Sequence, residues 1–348
     1  MLFYLPKNSL LPKLLVVVVA SLAALTSTAQ KNDVYDSAYY QTYPRQVVGR
    51  LFFSQKYTNL TADAPGSKFR YSPNNPFALG VGATYGIATL NIGIGLPFFT
   101  DKDLKGKTKT LDLQSHIYAR KWVVDLYGQF YKGYYLNPRG KAALPNDYYI
   151  RPDMKVQLIG ASAYHIFNSS RFSYRAGFLQ NEWQKKSAGS FLLGGEIYAG
   201  KIQSDSALGP STIDNQFSTL GISRVSFVEF GPGAGYAHTF VYRQNWFLTA
   251  SATVNADISF NKEKVSAGKE KQTAINPNFT LRGVAGYNSD TWSATVSWVE
   301  NNLNTNGSNQ REYLVRTGNF RVTVAKRFRP GRQLKKKLEV IDELPVQP

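Results

Sequence analysis

The stretch NFRVTVAKRF, residues Asn319–Phe328, contains the pattern that determines the fold. Phe320, Val322 and Val324 alternate with polar or small residues, and the aromatic Phe328 returns on the same parity. Successive side chains of a strand point to opposite faces, so this alternation predicts a strand with one apolar face and one polar face. The nature of the surroundings that cover the apolar face then decides the class of protein.

The same alternation recurs through the body of the chain, in segments separated by short turns or long polar loops. Two hairpins are predicted first, with strands at 77–85 and 88–98 and at 111–119 and 122–131. Residues 261–276 are rich in Lys, Asn and Gly and are predicted to be a long polar loop. Further strands are predicted near Met154–Phe167, Arg171–Gln180, Ser190–Ile202, Phe227–Tyr242, Trp246–Phe260, Asn278–Tyr287, Trp292–Asn301 and Glu312–Phe328.

Composition narrows the class of protein. The chain of 348 residues has no cysteine, which excludes disulfides and thiolate metal sites. Its three histidines, His116, His165 and His238, never fall at a metal-ligand spacing such as i, i+4, so we expect no metal and no cofactor. The formal net charge of +18 is dispersed and lacks a recognition-helix pattern. It therefore argues against nucleic acid and favours outer-membrane lipid and anionic glycolipid as partners.

The start of the chain has the features of a secretory signal peptide. Lys7 and Lys13 precede the apolar stretch Leu14–Leu25, which is too short to span a bilayer as a helix. Small residues that end at Ala29 form a cleavage site. We therefore predict an exported protein, with an uncleaved N-terminal anchor as the alternative.

An outer-membrane barrel accounts for the repeated alternation better than a water-soluble sandwich, because the strands are long and aromatic at their ends. An open sheet edge in hydrocarbon would leave backbone N–H and C=O groups unpaired, so the barrel has to close. We predict an all-β protein of the cell outer membrane, a closed antiparallel transmembrane β-barrel of about 12 strands, with 14 as the next count. The predicted domains are a signal peptide at 1–29, an N-terminal periplasmic segment at 30–46, the barrel at 47–328 and a basic, disordered periplasmic tail at 329–348.

Three stretches carry a resemblance to a known family. They are KGKTKTLDLQSHIYARKWVVDLYGQFYKGYYL at 105–136, RFSYRAGFLQNEWQKKSAGSFLLGG at 171–195 and GPGAGYAHTF at 231–240. Together they resemble an outer-membrane family called domain of unknown function 4421, from about Tyr39 to Phe328. The resemblance implies a Gram-negative outer-membrane barrel. It implies no activity, since the family has no assigned reaction, and no functional residue is carried over.

Several ionisable residues lie on the polar parity of the predicted strands. Inside a barrel, opposite charges on neighbouring strands can pair and fill the lumen, or they can line a water path. Structural pairing is the simpler interpretation and a selective pore is the alternative. The predicted lumen-lining residues are Asp112, His116, Asp125, Arg175, Glu196, Glu229, Arg282 and Glu300.

One constellation has the residue types of a hydrolase. His116 and Asp112 share a predicted strand face, and Asp125 lies on the hairpin partner, so His116 is a candidate general base. The adjacent Ser115 points to the other face, and the nucleophile motif G-x-S-x-G is absent from the chain. The favoured function is therefore a pore, transport or envelope structural component. A membrane-embedded hydrolase acting on lipid or peptide is the alternative.

The opening stretch is predicted to be the closing strand of the barrel. Phe320, Val322 and Val324 would face lipid, Arg321 and Thr323 would face the lumen, and Phe328 would lie at the periplasmic interface. A terminal aromatic residue is similar to the recognition signal of the barrel assembly machinery, which we expect as a partner. The oligomeric state is left open.

Overall fold

The structure is a computed structural model that describes residues 35–43, 45–86, 88–335 and 338. Antiparallel strands dominate it, and three short helices lie in the connections, at Lys102–Lys105 (α1), Tyr174–Phe178 (α2) and Gln216–Thr219 (α3). Among the described residues, no helix has the length and hydropathy that a membrane crossing requires. The strands are β1 Tyr40–Thr42, β2 Val47–Ala64, β3 Ser67–Ser72, β4 Phe77–Tyr85, β5 Ala88–Leu96, β6 Lys109–Tyr118, β7 Trp122–Asn137, β8 Ile150–Ile166, β9 Glu182–Gln184, β10 Ala188–Gln203, β11 Arg224–Tyr242, β12 Trp246–Val265, β13 Gly268–Asn288, β14 Trp292–Asn306 and β15 Glu312–Phe328.

The strands form a closed transmembrane barrel. A circuit of ten antiparallel strands runs from β2 through β3, β7, β8 and β10 to β15, and β15 pairs with β2 along its whole length. The barrel predicted from the sequence is thus confirmed, although its circuit has ten strands instead of about 12. The count differs because β4 and β5 join the sheet beside β2, and β6 joins it beside β7.

The two ends of the barrel differ. At the terminus end, where β2 begins and β15 stops, short turns at 119–121, 243–245 and 289–291 join strands, and one long connection, 167–187, lies between β8 and β10. At the loop end, the connections at 138–149 and 204–223 are long, whereas the turns at 65–66 and 266–267 have two residues each. Most connections of the terminus end are short, as is typical of one end of outer-membrane barrels.

The wall shows the alternation that the sequence predicts. Along β12, exposed and buried residues alternate without interruption from Trp246 to Val265. Large apolar side chains such as Leu248, Val254 and Phe260 lie on the exposed parity, whereas Thr, Ser and Asn side chains point inward. An apolar outer face and a polar interior match a bilayer as the surrounding solvent.

Two local predictions were wrong. Residues 171–180 form α2 and its flanking loop instead of a strand, and residues 261–276, predicted to be a loop, continue β12 and β13 into a long hairpin. Residues 332–335 form a helical turn, and residues 336–337 and 339–348 of the tail predicted to be disordered lie outside the described residues. The signal peptide predicted at 1–29 lies outside the described residues.

Candidate functional site: a cleft in the barrel wall

The loop end of the lumen is filled by packed side chains. Tyr71 of β3 and Tyr313 of β15 belong to a buried cluster with Leu208 and Phe217 of the 204–223 connection. The Tyr71 hydroxyl donates a hydrogen bond to the Leu208 carbonyl oxygen at 2.5 Å. The ring centroids of Phe217 and Tyr313 lie 6.0 Å apart. This connection therefore folds into the mouth of the barrel and covers it.

A second segment, residues 167–187, enters the terminus end and is called the plug. The Ser173 hydroxyl accepts a hydrogen bond from the Ala176 N–H and caps α2, which explains why the chain turns into a helix here. The Tyr174 hydroxyl lies 2.6 Å from Ser251 Oγ on β12. Inside the barrel, the Asn288 side chain on β13 donates to the Glu182 carbonyl oxygen at 3.1 Å. The plug is thus bonded to the inner wall.

The N-terminal segment closes over the plug. β1 pairs with β9, which is part of the plug, in register from Tyr40 with Gln184 to Thr42 with Glu182. The Tyr40 hydroxyl donates to the Ser169 carbonyl oxygen at 2.8 Å. Burial raises the pKa of this hydroxyl, so it stays a protonated donor. The segment predicted at 30–46 is therefore, in its described part, a structural element of the barrel.

Buried charges pair across the lumen. Asp125 has no exposed surface; its carboxylate lies 2.6 Å from His116 Nδ1 and accepts hydrogen bonds from Arg282 and Ser162. Asp112 instead pairs with Lys56 at 3.0 Å and accepts from the Tyr131 hydroxyl. The interior therefore brings His116 to Asp125 and places Asp112 in a separate ion pair.

A group of carboxylates lies deeper in the barrel. Glu196 on β10 and Glu229 on β11 are both buried. The Asn278 side chain donates to Glu229 Oε1 at 3.1 Å and to Asp257 Oδ2 at 2.9 Å. The two predicted residues, Glu196 and Glu229, thus point inward, and Glu229 shares the amide donor of Asn278 with Asp257.

The remaining two predicted lumen residues lie elsewhere. Arg175 belongs to α2 and contacts Glu182 within the plug, at 3.6 Å, instead of projecting from a strand. Glu300 lies on the outer face, because it shares the parity of the exposed Trp298. There it accepts a hydrogen bond from the Tyr57 hydroxyl at 2.7 Å, so the sequence assignment of Glu300 to the lumen was wrong.

The barrel wall between β2 and β7 is interrupted. At the loop end, β3 bridges the two strands, pairing with β2 over residues 60–64 and with β7 over residues 135–137. Toward the terminus end, β2 pairs with β4 and β7 pairs with β6. No pairing within the described residues joins β5 to β6. The free edges of these two strands border a cleft that opens through the wall.

Glycines in the β4–β5 hairpin shape the inner side of the cleft. A Cβ at Gly80 would collide with the Phe52 ring and with the Ile92 carbonyl oxygen. A Cβ at Gly82 would collide with the Asn91 side chain. The absence of a side chain at Gly80 lets the Phe52 ring lie against β4, and its absence at Gly82 leaves room for the Asn91 side chain of β5.

The cleft has a volume of about 630 Å³. Its lining is mixed, with apolar residues such as Phe52, Phe178 and Leu179. The polar lining residues include Arg50, Lys56, Asn91, Gln114, His116, Ser297, Asn319 and Arg321. At its mouth, Leu90 of β5 and Leu113 of β6 are more than half exposed on the outer face. The cleft therefore leads from an apolar surface to a polar interior.

His116 lines this cleft while its Nδ1 is occupied by Asp125. A carboxylate that holds one ring nitrogen orients the imidazole, and the opposite nitrogen can then act on water or on a bound molecule. Ser115, the neighbour in sequence, has the opposite parity on β6. The geometry thus supplies a base and its orienting group without the serine of a triad.

These features define an all-β outer-membrane-type barrel with a filled lumen and an interrupted wall. The chain belongs to the family described as domain of unknown function (DUF4421), whose model matches residues 34–328. No curated protein matches the chain.

Solved structures with a similar fold include outer-membrane barrels. The outer membrane protease OmpT from Escherichia coli is 8% identical, with 82% of this chain and 98% of that chain covered and a TM-score of 0.40. The translocator domain of the autotransporter NalP from Neisseria meningitidis is 8% identical, with 90% and 96% covered and a TM-score of 0.34. The Pseudomonas putida toluene transporter TodX is 8% identical, with 82% and 90% covered and a TM-score of 0.24.

Sequence reasoning placed Arg321 toward the lumen but did not identify the cleft, or Arg50 and Arg321 as the arginines that line it. Arg50 and Arg321 are single cations within alternating strands, and nothing local distinguishes them from the other basic residues. The sequence did contain a signal for the cleft itself, the glycines of the β4–β5 hairpin. Glycine in a strand indicates a bend or the close approach of another group.

Proposed function

We propose that this protein is an outer-membrane barrel that admits a membrane-soluble molecule through the cleft between β5 and β6. One observation carries the proposal: two strand edges face each other unpaired in the described wall, while packed side chains cover both ends of the lumen. Unpaired backbone groups facing hydrocarbon are costly, and they are tolerated where they line a polar cavity. Entry through the side of the barrel, between β5 and β6, is called the lateral route. It therefore fits this barrel better than an axial pore.

The same features support an orientation in the cell. The apolar outer face matches a bilayer, and the short turns of the terminus end match the periplasmic side of outer-membrane barrels. We infer that the terminus end faces the periplasm. The basic β12–β13 hairpin, with Lys262, Lys264, Lys269 and Lys271, then faces the phosphates of surface glycolipid.

Quenching of a reporter inside the cleft tests the lateral route. The reporter is a genetically encoded fluorescent amino acid in place of Ser297, which lines the cleft on the inner face of β14. The protein is reconstituted in bilayers that contain a neutral nitroxide lipid, a methyl ester of a doxyl fatty acid. We expect strong quenching at this position.

Two control positions calibrate the result. The same reporter at Ala252, on the exposed outer face of β12, should be quenched by the lipid nitroxide. At Ala267, in the hairpin turn of the loop end, it should respond only to a water-soluble nitroxide. If the Ser297 reporter behaves like the Ala267 reporter, the cleft does not open to lipid and the proposal is wrong.

A hydrolase acting on a molecule in the cleft is a second candidate, favoured by the His116–Asp125 pair at the cleft wall. The test is release of acid from an ester amphiphile in proteoliposomes. Loss of release in His116→Ala, with release retained in His165→Ala, would support an enzyme. Equal release by both variants and by empty vesicles would exclude this candidate.

A further inference from the structure

Two guanidinium groups in the cleft lack a carboxylate partner. Elsewhere in the described interior, Lys56 pairs with Asp112 and Arg282 pairs with Asp125. Neither Arg50 nor Arg321 has a carboxylate within 4.0 Å among the described residues. A cation withdrawn from water without a counter-charge is costly, so such a pair indicates a site for an anion.

The two arginines lie on neighbouring strands and face the same space. β2 and β15 pair so that Ser54 opposes Arg321 and Phe52 opposes Thr323. The Arg321 guanidinium lies over the Phe52 ring, 4.3 Å from its centroid. Arg50 and Arg321 both line the cleft. An anion bound there would supply a counter-charge to both cations.

Arg50 is held in place by its surroundings. The side chain is only 7% exposed, and its Nη2 donates to Thr84 Oγ1 at 2.6 Å and to the Leu179 carbonyl oxygen at 2.9 Å. Its Nε is buried and has no hydrogen-bond partner among the described residues, and the same is true of Nε of Arg321. Both arginines line the cleft, and each has hydrogen-bonding capacity that the described residues do not use.

The mouth of the cleft has a different character. Leu90 and Ile92 on β5 and Leu113 on β6 are exposed on the outer face. Polar side chains also line the cleft, including Asn91 behind the rim on β5 and Ser297, the register partner of Arg321 on β14. A ligand that spans the cleft would therefore meet apolar surface at one end and two cations at the other. The volume of about 630 Å³ is within the range of small-molecule sites.

We propose that the cleft binds a single-chain anionic amphiphile, with its carboxylate or phosphate head on Arg50 and Arg321 and its acyl chain leaving between β5 and β6 past Leu90 and Leu113. The assignment rests on the proposed lateral route and names the class of molecule that uses it. Arginine binds carboxylate and phosphate with paired N–H donors, and the exposed leucines suit a hydrocarbon chain. A neutral lipid would leave both cations uncompensated.

The experiment compares two probes that differ only in charge. The Ser297 reporter variant is titrated in zwitterionic bilayers with a doxyl fatty acid at alkaline pH, where its head is ionised, and with the corresponding methyl ester. We expect the acid to quench at a concentration in the bilayer about tenfold lower than the ester. Dodecyl phosphate should displace the acid if phosphate heads are accepted, whereas acetate, which has no chain, should not.

Variants of the arginines test the assignment of the head group. Arg50→Gln and Arg321→Gln should each weaken the response to the acid by about tenfold and leave the response to the ester unchanged. Arg321→Lys, which keeps the charge, should recover part of the response. Arg316→Gln is the matched control, because Arg316 is 47% exposed and lies 3.5 Å from Glu300 on the outer face. Heat-shifted gel migration verifies that each variant is a folded barrel.

The outcomes separate this inference from the proposed function. If acid and ester quench equally, or if Arg316→Gln weakens the response as much as Arg321→Gln, the anion site is refuted while the lateral route stands. If acetate displaces the acid, the site binds small anions and not amphiphiles. If neither probe quenches, the lateral route itself fails.

Discussion

At the scale of single residues, Asp125 is the centre of the interior charge network. It has no exposed surface and accepts hydrogen bonds from Arg282 and Ser162 while it holds His116. Sequence reasoning could predict the contact between His116 and Asp125 because a tight turn sets the register of a hairpin, and the two are register partners. It could not identify Arg50 and Arg321, because their lack of carboxylates depends on pairing between the first and last barrel strands.

We expect Asp125→Ala to lower the free energy of unfolding by about 3–5 kcal/mol, since it leaves the Arg282 guanidinium buried without its counter-charge. Urea titration of the reconstituted barrel measures the change. Asp63→Ala is the control: Asp63 pairs with Lys68 at 2.5 Å beside the β2–β3 turn, where both side chains are partly exposed, and its loss should cost about 1 kcal/mol or less. Equal effects of the two substitutions would contradict this assignment of the interior network.

Phe328 is the residue that we expect the barrel assembly machinery to recognise. It is the last residue of β15 and lies 42% exposed on the outer face, with Phe320, Val322 and Val324 on the same parity. We expect Phe328→Ala to lower the yield of folded barrel in the outer membrane, because the terminal aromatic is the proposed signal for the assembly machinery. Removal of residues 329–348 should leave the yield unchanged. Loss of folding in that truncation, with normal folding of Phe328→Ala, would place the signal in the tail.

At the scale of elements, alternation predicted the strands of the wall well and the plug poorly. Residues 171–180 contain apolar residues that suggest a strand, but Ser173 caps a helix that packs inside the barrel. A segment inside the barrel is covered on all sides, so its apolar residues need not alternate as they do in a strand of the wall. Its apolar pattern therefore does not predict its secondary structure. The gap between β5 and β6 was also unpredictable, because pairing between strands is non-local and leaves no pattern in either strand alone.

The β4–β5 hairpin depends on the absence of a side chain at Gly80. Gly80→Ala would press a methyl group against the Phe52 ring, and we expect a loss of about 1–3 kcal/mol in unfolding free energy. Gly283→Ala is the matched control, because a Cβ there meets nothing within 4 Å. Denaturant titration compares the two variants. A neutral effect of Gly80→Ala would show that the Phe52 ring does not lie against β4.

At the scale of the whole molecule, a barrel closed by pairing of β15 with β2 contains one interruption in its described wall. Buried side-chain clusters cover the two ends of the lumen, and the cleft lies between β5 and β6. In the proposed function, a molecule therefore reaches the interior through the side of the barrel. The absence of cysteine allows this access to be closed chemically, because a pair of introduced cysteines reacts without competition.

The most direct measurement is quenching of the Ser297 reporter by the neutral lipid nitroxide before and after the cleft is bridged. Asn91→Cys on β5 and Gln114→Cys on β6 are joined by bismaleimides of graded length. The control pair, Ala252→Cys with Leu281→Cys, joins two strands that are already paired. A lateral route predicts that bridging β5 to β6 suppresses quenching and that the control bridge leaves it unchanged. Quenching that persists after β5 and β6 are joined would contradict entry through the cleft.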